Sequence, residues 1–260
     1  MKQSMIGLMF FIALLNTAQA QVQKPAELRW CLGTFPGFYG FNAETRQPEG
    51  PSVLYMQEIA NRASFKLIPS EETPSSRCFA QMATGETDLM INILKSGSGR
   101  PDIKYIQFAA RWPDRVYLAS GRKLRLDRPT QLATLSIATI RTYKAAAEIQ
   151  LVLDSMKKRQ LVQVDSVLTA LQMAAKQRID AAVLPPTQVS AVLKEHPELA
   201  AELQEISFSV EQVKPQAVYI GLSSHCNCPE AEAAITRSIQ SMQADGSTDK
   251  IFAGKIISRF

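Results

Sequence analysis

The sequence predicts an α/β protein, and three observations lead to that class. Short apolar runs of strand length alternate along the chain with amphipathic helical segments, a pattern typical of parallel strand pairing. Of the 260 residues, 46% are hydrophobic and 20% are charged, which is enough apolar content for a core. Gly and Pro, with 12 and 14 residues, are near average, so collagen-like and disordered chains are excluded.

The start of the chain predicts a cleavable secretory signal peptide over residues 1–20. Lys2 supplies a positive start, Met5–Leu15 is an unbroken apolar run, and Ala18-Gln19-Ala20 provides the small residues of a cleavage site. As a helix the run rises about 16 Å, which is too short for a bilayer core of about 30 Å. The alternative, an N-terminal core helix, leaves the small-residue motif unexplained.

A first set of alternating elements follows. The helix over 51–63 places Val53, Met56 and Ile59 on one face, and the next helix stops before Gly85, a residue type that commonly ends helices. The predicted elements are strand Leu28–Leu32, helix Pro51–Ala63, strand Phe65–Ile68, a helix over Ser76–Met82 and strand Asp88–Leu94.

A second set repeats the pattern further along the chain. It consists of strand Leu135–Ile140, helix Lys144–Met156, strand Leu161–Val164, helix Ser166–Ala175, strand Ile179–Leu184 and helix Gln188–Leu193. Two similar α/β units in tandem are therefore predicted.

Two extended segments, Arg115–Ser120 and Ala217–Ser223, flank the second unit, and Ala231–Phe260 is predicted to be largely helical. If both segments connect the same two units, the C-terminal helix returns to the first. The prediction is then two lobes joined by a double hinge, with 21–112 plus 218–260 as lobe one and 113–217 as lobe two. The cleft between the lobes is the expected site.

Export to an oxidising compartment makes the four cysteines candidates for disulfides. Cys31, Cys78, Cys226 and Cys228 allow three pairings, and the residues alone leave them open. Bridging Cys226 to Cys228 closes a small ring that depends on the local backbone. His225 beside this pair offers a metal site as an alternative, which the lack of a second Cys/His pair disfavours. We expect neither a metal nor a cofactor.

The charge distribution argues against a nucleic-acid partner. The formal net charge of +5 comes from 29 Lys and Arg against 24 Asp and Glu. These charges are spread evenly, so they produce a weak background field and no basic footprint.

Several motifs in a fixed order resemble the family-3 solute-binding proteins of bacterial amino-acid ABC transporters. Together they extend the resemblance from about Leu28 to Phe260. The matching segments are Glu49–Pro51, Met56–Arg62, Phe65–Leu67, Gly85–Asp88 with Arg100 twelve residues later, Arg178–Ala182 and Met242–Ile251.

The resemblance implies a type II periplasmic-binding-protein fold that closes over a small solute. It implies that Arg100 pairs with a ligand carboxylate, for which a planar guanidinium is suited. The alternative for Arg100 is a solvated loop arginine. The fold also implies a Cys31–Cys78 disulfide, because the first strand's exit and the second helix's start both border the cleft. Cys226 and Cys228 then pair with each other or stay free.

The departures from the family bear on the ligand. Asn92 and Lys95 stand where members that bind α-amino acids place hydroxyl or backbone acceptors. Pro185 occupies the position of the family's second-lobe aspartate, and Gly33-Thr34 replaces an acidic residue after the first strand. A desolvated ammonium group needs paired acceptors or an opposite charge. These losses argue against an ordinary α-amino acid.

The residues expected around the cleft are cationic, aromatic or polar. For Phe35 and Phe38, core packing under a loop is the alternative to a stacking wall, and Tyr143 and Lys144 align with the family's second-lobe carboxylate contact. The candidate ligand-binding residues are Phe35, Phe38, Tyr39, Ser76, Arg77, Asn92, Lys95, Arg100, Thr142, Tyr143 and Lys144.

The function expected from these features is that of a monomeric, non-enzymatic periplasmic solute-binding protein. Its ligand is expected to be a small anionic organic solute, and its partner an inner-membrane ABC permease. One alternative is a sensory or accessory binding protein that serves no transporter. The other is an enzyme on the same scaffold, similar to periplasmic dehydratases, which would need a poised acid or base in the cleft.

Overall fold

The computed structural model describes residues 26–258, with the exception of 96 and 142. The predicted signal peptide lies outside the described residues. Within them, no helix combines the length and the apolar character that crossing a membrane requires.

The described residues form twelve strands and eight α-helices. The strands are β1 (Glu27–Trp30), β2 (Gly40–Phe41), β3 (Pro48–Glu49), β4 (Lys66–Pro69), β5 (Leu89–Ile93), β6 (Ile103–Arg111), β7 (Arg115–Ala119), β8 (Ile137–Ile140), β9 (Leu161–Val164), β10 (Ala181–Leu184), β11 (Leu203–Ile206) and β12 (Gln216–Ser223). The helices are α1 (Pro51–Ala63), α2 (Ser75–Thr84), α3 (Ala147–Ser155), α4 (Val167–Ala175), α5 (Pro186–Glu195), α6 (Glu198–Glu202), α7 (Ala231–Ala244) and α8 (Ser247–Phe252).

The larger strands form two separate five-stranded sheets. The first has the order β4-β1-β5-β12-β6, with β1 parallel to β4 and β5, and β12 antiparallel to β5 and β6. The second has the order β11-β7-β10-β8-β9, with β8 parallel to β9 and β10, and β7 antiparallel to β10 and β11. The predicted α/β class is therefore confirmed.

We refer to the first sheet with α1, α2, α7 and α8 as the first lobe, and to the second sheet with α3–α6 as the second lobe. The chain passes between them at 112–114, from β6 to β7, and at 207–215, from β11 to β12. After α8 it returns to the first sheet, where Ala110 and Ile257 exchange two backbone hydrogen bonds of 2.8 Å. The boundaries 112/113 and 217/218 stay a prediction.

Each lobe has its own core. In the first lobe, Gly50 and Pro51 determine where α1 begins. Gly50 has a φ of 114° and approaches the Phe38 carbonyl so closely that only glycine fits, and Pro51 stands in the first turn. Its buried face brings Tyr55 against Phe108 and Phe252, with ring centroids 5.1 Å apart in both pairs. The second lobe buries apolar side chains on both faces of its sheet.

Two predicted helices differ from the structure. The helix predicted over Lys144–Met156 begins only at Ala147, because the preceding residues are extended and the Ala146 N–H donates to the Asp114 carboxylate at 2.6 Å. The C-terminal helix is interrupted between α7 and α8 at Gly246, whose φ is 79°, and α8 ends at Phe252.

Candidate functional site

A cavity of 410 Å³ lies between the two lobes and is the candidate functional site. Its walls are mainly apolar and aromatic, and they come from both lobes and from the first passage between them. Its lining comprises Phe35, Phe38, Tyr39, Ser75, Phe79, Met90, Ile91, Asn92, Ile93, Leu94, Gly99, Arg100, Tyr105, Arg111, Trp112, Tyr143, Lys144, Pro185, Pro186, Thr187, Gln188, Val218 and Ile256.

Asn92 lies where the central strand of the first sheet bulges. Opposite β12, the pairing shifts by one residue between Tyr219 and Gly221, and Asn92 has a φ of 59°. Asparagine tolerates this left-handed conformation better than β-branched residues do. The Asn92 amide donates to the Ser52 hydroxyl at 2.8 Å, and its Oδ1 is buried with no hydrogen-bond partner among the described residues.

Arg100 is held at the cavity edge in a fixed pose. Its Nε and Nη2 donate to Asp102 Oδ2 at 3.2 and 3.0 Å, and its Cζ lies 5.5 Å from the Phe79 ring centroid. The hydrogen bond from Arg100 is the main cause that lowers the pKa of Asp102. The side chain of Arg100 is 47% exposed, so its outer edge can meet a ligand carboxylate.

Phe79 is positioned through a disulfide. The predicted Cys31–Cys78 bond is present, with Cα atoms 5.6 Å apart. It joins the end of β1 to α2, and both of its cysteines are buried. Phe79 follows Cys78 directly, so the bond fixes the turn of α2 that carries the platform under Arg100.

The loop after β1 supplies a group of aromatic side chains. The ring centroids of Phe35 and Phe38 are 5.2 Å apart, and those of Phe35 and Tyr39 are 5.9 Å apart. Phe38 also packs against Phe252 in the core, whereas Phe35 and Tyr39 are half-buried. Burial raises the pKa of Tyr39 to about 12, so its hydroxyl stays neutral at physiological pH. The loop therefore both packs on the core and walls the cavity.

A buried network at the hinge holds the second-lobe side of the cavity. Arg111 donates to Gln216 Oε1 at 2.9 and 2.5 Å and to the Lys144 carbonyl at 2.7 Å. The Tyr143 hydroxyl donates to Asp114 and accepts from Arg111. Arg111 also lies 3.5 Å from Asp114, whose side chain is fully buried. This network fixes the loop that brings Tyr143 and Lys144 to the cavity.

The network also decides which of these groups a ligand can use. The charge of Arg111 is compensated by Asp114, and the Tyr143 hydroxyl already donates its hydrogen bond to the same carboxylate. Burial, reinforced by the charge of Asp114, raises the pKa of Tyr143 well above its ordinary value. Lys144 is exposed at the cavity edge, so it and Arg100 are the cations that a ligand can meet.

The start of α5 closes the cavity from the second lobe. Pro185 precedes the helix, Pro186 is its first residue, and the segment through Gln188 lines the cavity. Proline is well suited to the first helical position, because an N–H at that position would have no hydrogen-bond partner within the helix. The positive end of the helix dipole at this terminus favours an anion.

The two lobes touch each other at the mouth of the cavity. The Thr187 hydroxyl on α5 donates to the Lys255 carbonyl of the first lobe at 3.1 Å. Gly37, with a φ of 81°, approaches so closely that an added Cβ would lie 3.3 Å from the Thr187 carbonyl oxygen and 3.5 Å from its Cγ2. The structure is thus a closed arrangement of the lobes.

Removing this hydroxyl contact is expected to weaken ligand binding. In Thr187→Val the side chain keeps its shape but loses the hydrogen bond across the mouth, which contributes about 0.5–1.5 kcal/mol. Because only the closed arrangement has this bond, the dissociation constant should rise about 2- to 10-fold in titration calorimetry. Thr236→Val is the matched control, because its hydroxyl bonds to Glu232 O within α7. An equal loss of affinity in both variants would contradict the role of the contact.

The structure places seven of the eleven predicted ligand-binding residues in the cavity lining. Ser76 and Arg77 are exposed on α2, which turns Ser75 toward the cavity instead. Lys95 is also exposed and outside the lining, with its ammonium group 5.6 Å from the Tyr105 ring centroid. Thr142 lies outside the described residues. The residues in the lining are Phe35, Phe38, Tyr39, Asn92, Arg100, Tyr143 and Lys144.

Five important lining residues were not anticipated from the sequence. Phe79, Tyr105 and Trp112 add aromatic walls, and Arg111 with Gln188 adds polar groups near the hinge and at the start of α5. Trp112 had a usable signal, because it is one of only two tryptophans and directly precedes the predicted hinge. Phe79 and Gln188 occupy positions that were predicted as ordinary helix, whereas Tyr105 and Arg111 lie on β6, a strand that was not predicted.

The second cysteine pair lies outside the cavity. Cys226 and Cys228 are bonded to each other, so their sulfurs are not free thiolates for a metal beside His225. Among the described residues, no group of three or more His, Cys, Asp or Glu is placed to hold a metal ion.

Comparison with solved structures identifies the fold. An ancestral arginine-binding protein bound to arginine has 18% identity and a TM-score of 0.67, with 89% of this chain and 99% of that chain covered. A histidine kinase sensor domain with similarity to periplasmic binding proteins has 14% identity and a TM-score of 0.72, with 91% of this chain and 98% of that chain covered. No family model and no curated protein matches the chain.

A third structure is a periplasmic His/Glu/Gln/Arg/opine family-binding protein from Silicibacter pomeroyi in complex with lysine. It has 16% identity and a TM-score of 0.66, and the match covers 90% of this chain and all of that one (100%). These likenesses confirm the type II periplasmic-binding-protein fold, with two lobes joined by a double hinge.

Proposed function

We propose that this protein is a periplasmic solute-binding protein that closes over a small anionic organic solute and delivers it to an ABC permease. The observation that carries the proposal is the charge of the cavity lining. Among the residues that the structure describes, the lining contains Arg100, Arg111 and Lys144 but no Asp or Glu. Arg111 is compensated by Asp114, and Arg100 is paired with Asp102 but keeps a side chain that is 47% exposed. Lys144 and the outer edge of Arg100 are therefore the positive groups of the described lining that a ligand can reach.

The same lining disfavours an ordinary α-amino acid. An ammonium group moved out of water needs a carboxylate or several acceptors, and the segment that begins at Pro185 offers proline side chains where the related family has its aspartate. Two of the three similar structures named above hold arginine or lysine. A cation of that kind placed in this cavity would meet Arg100 and Lys144, and the part of the lining that the structure describes has no acidic side chain to balance it.

A binding role fits the lining better than catalysis does. The two histidines lie elsewhere, with His196 at the end of α5 and His225 against Gly85 on the first lobe. The pKa values of the Tyr39 and Tyr143 hydroxyls are raised, so neither hydroxyl can act as a base near neutral pH.

A sensory role is the second candidate. The observation in its favour is the likeness to a histidine kinase sensor domain, with a TM-score of 0.72. Both roles use the same closure over a ligand, and they differ in the partner that recognises the closed form. Reconstituted ATPase stimulation by the liganded protein with a candidate permease supports transport, whereas its absence together with ligand-dependent kinase activity supports sensing.

The proposed anion contact makes Arg100→Ala the direct test. Loss of a charge-assisted hydrogen bond of about 1.5–3 kcal/mol should raise the dissociation constant of a carboxylate ligand about 10- to 150-fold. Arg100→Lys should recover only part of it, because a point charge lacks the two-pronged geometry. The ligand comes from a thermal-shift screen of carboxylates, phosphate esters and amino acids, in which a ligand at 100 times its dissociation constant adds about 2.7 kcal/mol.

Arg77→Ala is the matched control, because Arg77 is exposed on α2 outside the cavity. Its affinity should equal that of the wild type. Stability should change little in both variants, because a half-exposed ion pair such as that of Arg100 contributes little. Unchanged binding in Arg100→Ala, or a zwitterionic amino acid as the best ligand, would contradict the proposal.

A further inference from the structure

We infer that the solute is an aromatic monocarboxylate, a flat ring or pair of fused rings that carries one carboxylate group. This inference rests on the proposed function, because it takes the anion site at Arg100 as one end of the ligand. It adds the chemical class of the remainder of the ligand, which the walls of the cavity define.

The walls consist of aromatic side chains that come from four separate parts of the chain. Phe35 and Tyr39 belong to the loop after β1, Phe79 to α2, Tyr105 to β6 and Trp112 to the first passage between the lobes. Each keeps part of its surface exposed, unlike core rings such as Phe108, which are 0% exposed. Their uncovered surface is therefore available to a ligand.

The placement of these rings suits a flat ligand. Phe79 carries the Arg100 guanidinium on one side, at 5.5 Å, so the anion site and an aromatic surface are adjacent. Trp112 is fixed by its indole N–H, which donates to the Gly254 carbonyl at 2.9 Å. Aromatic rings packed offset or edge to face gain about 0.5–1.5 kcal/mol per pair beyond the area that they bury.

Aromatic walls also suit a cationic ligand, but the positive charge of the lining argues against one. A cation held between rings is stabilised by a carboxylate in contact with it, whereas the described lining contains none and presents Arg100 and Lys144. The nearby Asp102 and Asp114 lie outside the lining and are already paired with Arg100 and Arg111. The volume of 410 Å³ lies near the lower end of the range of about 300–1,000 Å³ for small-molecule sites. A compact ring acid satisfies the volume, the apolar walls and the cations together.

The experiment compares matched probes on the full mature chain by titration calorimetry. Benzoate and 2-naphthoate are the aromatic acids, cyclohexanecarboxylate is the non-aromatic ring acid, benzyl alcohol is the uncharged aromatic ring, and L-arginine is the cation. We expect the better aromatic acid to bind about 5- to 10-fold more tightly than cyclohexanecarboxylate. We expect benzyl alcohol, which lacks the carboxylate, to bind at least about 10-fold more weakly than the better aromatic acid.

The intrinsic fluorescence of the protein gives a second readout. The chain has two tryptophans, and Trp30 is 2% exposed in the core, whereas Trp112 is 40% exposed at the cavity. A spectral change on adding the aromatic acid that is lost in Trp112→Phe places the ligand beside this wall. No change at saturating ligand would contradict that placement.

Phe79→Leu separates the ring from the anion site. It keeps an apolar side chain but removes the ring, so the preference for the aromatic over the non-aromatic acid should fall toward one. Arg100→Ala should weaken both acids by a similar factor and leave the preference intact. Leu151→Ala is the control, because Leu151 is 73% exposed on α3 and should alter neither affinity nor preference.

The outcomes distinguish failure of this inference from failure of the proposed function. Equal binding of benzoate, 2-naphthoate and cyclohexanecarboxylate overturns the aromatic class and leaves the anionic solute standing. Benzyl alcohol or L-arginine as the tightest probe overturns both. Binding of none of the ring acids overturns the aromatic class, and the anionic solute is then tested by the phosphate esters and aliphatic acids of the screen.

Discussion

Asp114→Ala is expected to lower the free energy of unfolding by about 3–5 kcal/mol. The Asp114 carboxylate accepts hydrogen bonds from the Tyr143 hydroxyl and the Ala146 N–H, and it compensates the Arg111 guanidinium. Its side chain is fully buried. Truncation leaves a buried cation without its partner and a loop without its anchor. Urea unfolding of the variant measures the loss.

Asp165→Ala is the matched control. Asp165 also pairs with an arginine of the second lobe, Arg141, at 2.8 Å, but its side chain is 83% exposed. Exposed pairs of this kind contribute about 0–1 kcal/mol, so stability should barely change. Asp114→Asn keeps the shape and should recover part of the loss. If the buried and the exposed aspartate variants lost the same stability, the network would not have the role assigned to it.

Removing the Cys31–Cys78 disulfide has the second large expected effect. The bond closes a loop with a sequence separation of 47. A loop of that length restricts the unfolded chain by about 4 kcal/mol. The double variant Cys31→Ser with Cys78→Ser should lose about that amount in urea unfolding. It should also bind the ligand more weakly, because α2 then holds Phe79 less firmly.

The second cysteine pair provides the comparison. The double variant Cys226→Ser with Cys228→Ser removes a bond with a sequence separation of only 2. The same loop relation gives a loss of about 1.6 kcal/mol, less than half of the first. Its ligand affinity should match the wild type, because neither cysteine lines the cavity. A larger loss for this pair than for Cys31–Cys78 would refute the ranking.

The local pattern of apolar and polar residues was sufficient to predict many of the helices and strands. Helix α1 and strand β9 have the bounds that the sequence pattern predicted. Strand β6 was not predicted, although it has 9 residues. It pairs with β12 through a register shift between Val218 and Tyr219, so its buried positions do not alternate regularly.

The residues of the candidate site were harder to predict from the sequence than the helices and strands were. The resemblance pointed to Arg100, and the loop after β1 pointed to Phe35, but Phe79 came from neither. Phe79 lies on a helix where an aromatic residue normally signals core packing. Only the three-dimensional arrangement shows that its ring lies beneath the guanidinium. The partner of Tyr143 was equally hidden, because Asp114 lies 29 residues away along the chain.

The hinge contact between Arg111 and Gln216 has a mechanical consequence. These residues are register partners where β6 and β12 leave the first sheet, and their side chains are also hydrogen-bonded. The two passages between the lobes therefore leave from one rigid point and cannot bend independently. We therefore expect opening to be a rotation about an axis near Arg111. Under that expectation, a partner that recognises the protein would read the occupancy of the cavity from the angle between the two lobes.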